Sequence, residues 1–127
     1  FWLRNLGHRE GWVEKWELPP GLSMITAYDR NDTESRRIRS FLPRFQAAPV
    51  PDPESGDWTA WEALLGSRDY EASGGPGDAM AIVTDYGFET TSSSLIALPA
   101  ASTPPRRPVW HFAAGRAGEQ PFAPVNS

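Results

Sequence analysis

Cysteine is missing from this chain of 127 residues, which removes disulfides, thiolate metal sites and a cysteine nucleophile from consideration within it. Histidine is scarce. The two present, His8 and His111, stand in none of the HxH, HExxH or HxxxH spacings that put two ligands on one face, so no metal or other cofactor is expected. Long hydrophobic runs are absent as well. The longest apolar stretches are a few residues, against the roughly 20 needed to span a bilayer, and no secretory h-region stands out. A protein without membrane contact, soluble and cytoplasmic, is the expectation. Concentrated positive charge is the last absence: arginines and carboxylates are mixed along a chain of net charge −4, leaving no basic stripe to neutralise a run of phosphates. Nucleic acid is therefore not an expected partner.

What is present suits a folded domain. The length falls in the usual one-domain range, 39 % of residues are apolar, and six are tryptophan. Phe1-Trp2-Leu3-Arg4 reads like the inside of a buried strand with no leader ahead of it. Processing normally leaves a polar, flexible terminus, so truncation of a longer protein is the expected origin of this start.

Two aromatic-rich runs, residues 1–4 and 12–18, flank Asn5, Gly7 and Gly11 and predict an antiparallel hairpin. Pro19-Pro20-Gly21 stops it. After the apolar residues 22–26, the polar group Asp29-Arg30-Asn31-Asp32 predicts a helix start capped by Asp32 or Thr33. Ile38, Phe41, Leu42 and Phe45 then form one apolar face, and Pro43 is expected to end or kink the helix near Leu42. Residues 47–56, with Pro49, Pro51 and Pro53, suit an extended surface connector. A second helix is expected from an Asp57 cap, with Trp58, Trp61, Leu64 and Leu65 on one face and Gly66 as a left-handed terminator. Gly74-Gly75-Pro76-Gly77 predicts a loop, residues 79–83 a short strand or a helical turn, and Asp85-Tyr86-Gly87 a reversal. Residues 92–98 and 109–113 predict a second hairpin across a Pro/Arg-rich loop, followed by a tail pinned by Phe122 and Val125. Strands, two helices, then strands imply an α+β fold with a mainly antiparallel sheet.

Few side chains suggest chemistry. Pro76 removes a donor that a phosphate cradle at Gly74, Gly75 and Gly77 would need, and no Lys-Ser/Thr pair follows. Trp2, Trp12, Trp16, Trp58 and Trp61 are expected to pack the core. His8 is expected in an exposed turn, and His111 on a strand facing polar neighbours. The acidic residues fall mostly in turns and caps, so none is paired as acid and base. The unusual polar cluster is Thr90-Thr91-Ser92-Ser93-Ser94. Alternation sends Thr91 and Ser93 to one face, where they either satisfy neighbouring backbone groups or line a polar pocket beside a nucleophile from another segment.

Several segments, taken in order, carry a resemblance. They are Pro19-Pro20-Gly21-Leu22-Ser23-Met24-Ile25-Thr26-Ala27, the Asn31-Asp32 helix start, Leu42-Pro43-Arg44-Phe45, residues 88–98, and Pro108-Val109-Trp110. In this order and spacing the chain resembles the C-terminal half of the NRDE family, also called the Transport and Golgi organisation protein 2 family. The resemblance implies that residues 1–127 are part of one αββα sandwich of the N-terminal-nucleophile-hydrolase type, completed by an N-terminal half as partner. It implies a cysteine-dependent amidohydrolase whose nucleophile lies in that other half, with no catalytic residue in this chain. Ser23, Thr91 and Ser93 would then line the site for an amide substrate. The alternative it implies is a non-catalytic binding or trafficking protein for a small hydrophobic ligand such as haem or lipid. Where many members have Gly-Leu-Ser-Asn, this chain has Gly21-Leu22-Ser23-Met24, and Thr91 replaces an arginine common in the strand motif. Both changes weaken polarisation of an amide.

Overall fold

In the computed structural model, residues 1–5, 13–101 and 104–125 are described, without the side chains of Trp2 and Asn5. The elements run β1 (Trp2–Asn5), β2 (Val13–Trp16), α1 (Arg36–Ala47), α2 (Thr59–Leu65), β3 (Ser93–Ala97), β4 (Val109–Ala113) and β5 (Ala123–Pro124). They form an α+β domain with two antiparallel sheets, β1-β2 and β3-β4-β5. The first expected hairpin is present, pairing Leu3 with Lys15 and Arg4 with Glu14. Arg4 also reaches Asp29, which ties the hairpin to the turn ahead of α1. Trp16 does not join the core as expected. It is 49 % exposed, on a sheet of two strands in which β2 pairs with β1 among the described residues. His8 and Trp12 lie outside the described residues.

α1 is capped by Ser35, whose hydroxyl accepts from the Ile38 N–H at 3.3 Å, and not by Asp32 or Thr33. Asp32 instead closes the preceding turn, accepting from the Glu34 N–H at 2.9 Å. Nor does α1 stop at Pro43; it continues to Ala47. Pro43 is on the exposed side of the helix and lacks the N–H that would bond the Arg39 carbonyl. Packing on either side of it outweighs the proline penalty of roughly 3 kcal/mol. Phe41 is fully buried, and Phe45 meets the Trp61 ring edge-on at 5.3 Å.

A row of arginines fastens α1 to residues 69–78. Arg37 donates to the Gly77 carbonyl at 2.6 Å, Arg39 grips Glu71 through two nitrogens, and Arg44 donates to Asp69 at 2.8 Å. The hydrogen bond from Arg39 holds the Glu71 carboxyl below its usual 4.5, and the one from Arg44 lowers Asp69 from its usual 3.8. A carboxyl lowered by folding contributes stability that is present above its unfolded value and is lost as pH falls through the lower, folded one. Amide-exchange protection of α1 is thus expected to hold from neutral pH down to the ordinary carboxylate range and to fall below it. Glu71→Gln should remove part of that acid dependence. An α1 equally protected at every pH would contradict the assignment.

Residues 47–56 form the expected connector, which ends in a tight turn closed by mutual N–H to carbonyl bonds of 2.9 Å between Asp52 and Asp57. Asp57 accepts from the Thr59 N–H at 3.1 Å and so opens α2. Gly66 ends α2 in right-handed geometry, φ −82°, and not in the expected left-handed one. Its role is close approach: a Cβ there would sit 3.0 Å from the Ala117 carbonyl oxygen. Residues 79–82 form neither strand nor helix, yet Ala79, Ala81 and Ile82 are buried. The bridge between Val83 and Glu89 closes the Asp85-Tyr86-Gly87 reversal, with Gly87 at φ +84°.

β3 pairs with β4 in the register Leu95 to His111 and Ile96 to Trp110. The segment expected to be a tail adds a third strand, β5, through Phe112–Ala123 pairing and a 2.8 Å bond from the Val125 N–H to the Trp110 carbonyl. Pro124 suits that outermost position, where no ladder donor is required of it. One face of this sheet, with Leu95 and Ala113, is buried against the helices, and Ile38, Phe41 and Trp58 complete the core. Cross-strand partners share a face, so Ile96, Trp110 and Phe112 lie on the other; Ile96 is 56 % exposed there. Among the described residues no helix is long and apolar enough to cross a membrane.

Candidate functional site

Gly21, at φ +98°, turns the chain after Pro19-Pro20 and sends residues 22–25 along the open side of β3. Asn31 fixes that segment. It adopts the left-handed φ of 57° that asparagine tolerates, donates its N–H to the Met24 carbonyl at 2.8 Å, and accepts the Met24 N–H on Oδ1 at 2.7 Å. Between this clamped segment and β3 lies a cleft of about 390 Å³. Phe45 of α1, Trp58, Trp61 and Leu65 around α2, Met80, and Ser94, Leu95 and Ile96 of β3 form the rest of its wall. Among the described residues, no charged side chain is in that wall.

The tryptophans set its shape. Trp58 is 4 % exposed and packs on the His111 ring at 6.1 Å with a 50° tilt. His111 accordingly faces an aromatic ring and not the polar neighbours expected for it, because the strand turns it toward the helices. Ser23 Oγ and the indole nitrogens of Trp58 and Trp61 are buried with no hydrogen-bond partner among the described residues. Native structures keep few such atoms, so three on residues of one cleft wall mark it as unusual.

Of the residues expected at a site, Ser23 belongs to this cleft. Thr91 is exposed ahead of β3, and Ser93 donates toward the Gly115 carbonyl at 3.5 Å, outside the cleft wall. The β3 hydroxyl in the wall is that of Ser94, which accepts from Trp110 Nε1 at 3.3 Å. Thr90 satisfies backbone, accepting from the Ile82 N–H at 3.0 Å. Sequence reasoning missed Asn31 as a positioning residue. Its signal was an asparagine inside a polar turn, where left-handed backbone is common. Met80 gave no signal at all.

The chemistry open to these groups is limited. Among the described residues no cluster of His, Asp and Glu could hold a metal ion. Glu71 accepts from Ser40 at 3.3 Å, an arrangement that superficially pairs a hydroxyl with a base. The Arg39 guanidinium keeps that carboxyl acidic, which makes it a poor proton acceptor. No family model matches the chain, and comparison with curated proteins and with solved structures finds no match.

Proposed function

We propose that the chain binds a small, neutral, apolar ligand in the cleft between residues 22–25 and β3, as the C-terminal part of an NRDE-type αββα sandwich. The observation that carries the reading is the cleft wall itself: aromatic, aliphatic and thioether side chains with two serines, and no charge among the described residues. A neutral acyl compound or lipid suits such a wall better than haem, whose carboxylates would find no cation there. Three segments of the family resemblance converge on this cleft, through Leu22 to Met24, Phe45, and Ser94 to Ile96. The sandwich reading draws support from a sheet that is apolar on both faces, since such a sheet is normally covered on both. If the whole protein is an amidohydrolase, the same cleft holds the acyl part of an amide, and the thiol comes from the N-terminal half.

Trp58 and Trp61 report directly on occupancy. Titration with N-methyldecanamide is expected to change tryptophan emission saturably. Ile25→Arg, a charge placed at a 43 % exposed position in the wall, should weaken binding about tenfold or more. The chain alone should release no decanoate from that amide. A folded chain with no saturable response overturns the binding reading, and hydrolysis abolished by Ser93→Ala overturns the assignment of catalysis to another segment.

A further inference from the structure

The loop between β3 and β4 contains Pro104-Pro105-Arg106-Arg107-Pro108, and every one of these residues is exposed. Residues 105–108 run straight into β4 without turn or bend. Proline fixes its own φ near −65° and pushes the residue before it to extended backbone, so Pro108 favours an extended Arg107. Among the described residues, the N–H groups of Arg106 and Arg107 make no bond to another backbone group. Exposed backbone fixed by Pro105 and Pro108 suits a polyproline II helix over residues 105–108.

We propose that residues 105–108 are a docking motif for a partner domain with an aromatic-walled, acidic-rimmed groove of the SH3 or WW kind. With three residues per turn and about 3.1 Å rise, Pro105 and Pro108 fall on one edge about 9 Å apart, the spacing that successive aromatic slots of such grooves accept. The two arginines occupy the other edges. Arg106 is engaged by Glu54 of the neighbouring turn, an exposed pair that leaves the loop anchored to its own chain. Arg107 makes no ion pair among the described residues and is the cation offered to the partner's acidic rim. Because the prolines have already fixed much of this backbone, docking loses little conformational entropy. The motif is remote in sequence from residues 22–25, so this inference stands apart from the ligand reading.

The test is titration of the purified chain into isotope-labelled SH3 and WW domains, read by shifts of their groove aromatics. At least one domain is expected to bind with micromolar to submillimolar affinity. Pro105→Ala with Pro108→Ala should weaken it about tenfold or more, and Arg107→Glu should weaken it comparably. Ile25→Arg should leave it unchanged. All three positions of the motif variants are exposed, so circular dichroism should show an intact fold. The proposal is overturned if no domain in the set binds, or if binding survives the double proline variant.

Discussion

Phe41→Ala is expected to lower the unfolding free energy by about 3 to 5 kcal/mol, measured by urea unfolding. Phe41 and Ile38 are the largest fully buried side chains, and much of the remaining core is small: Ala79, Ala81, Ala113 and Ala117. The alanines of this core have no side-chain length with which to fill the vacated space, and an unfilled cavity raises the cost. The substitution also strips the platform beneath Arg44, whose guanidinium lies 4.9 Å from the Phe41 ring centre. Total stabilities of domains are about 5 to 15 kcal/mol, so this single change should consume a large part of the margin. A loss below about 1 kcal/mol would show that α1 is not the centre of the packing.

The second large effect is on association. The outer face of the β3-β4-β5 sheet presents Ile96, 56 % exposed, opposite Trp110, 43 % exposed, with Leu98 at 77 % just beyond. β3 is also an edge strand, since among the described residues its only strand partner is β4. Apolar surface beside an unpaired edge is a template for self-association. The chain is expected to sediment above monomer mass at micromolar concentration, and Ile96→Lys with Trp110→Ser should return it to monomer without loss of fold. A monomer at all concentrations, with both residues native, would remove the support that this face gives to the sandwich proposal.

The sequence made the elements legible wherever a local rule decided them. Alternation and turn residues located both hairpins, and apolar spacing located both helices. Boundaries set by packing were less readable. Pro43 follows the local rule for ending a helix, but Phe41 and Phe45 hold α1 across it. Gly66 reads as a left-handed terminator, although its reason is the Ala117 carbonyl, a contact from fifty residues away in sequence. β5 had no pattern of its own and exists because β4 offers it an edge. At the cleft, Ser23 was legible from its motif and the tryptophans from their abundance. The Met24–Asn31 clamp and the contribution of Met80 arise from tertiary folding, which no periodicity encodes.

The order of the strands bears on how the chain reaches this fold. Each strand pair, β1-β2, β3-β4 and β4-β5, joins strands that are consecutive in sequence. No pairing has to wait for a distant segment to arrive, and the entropy of closing each connection grows only slowly with its length. Such a topology favours rapid formation of each sheet on its own. The long-range step is then the packing of Trp58, just ahead of α2, on His111 of β4, which joins the helical and strand parts of the chain.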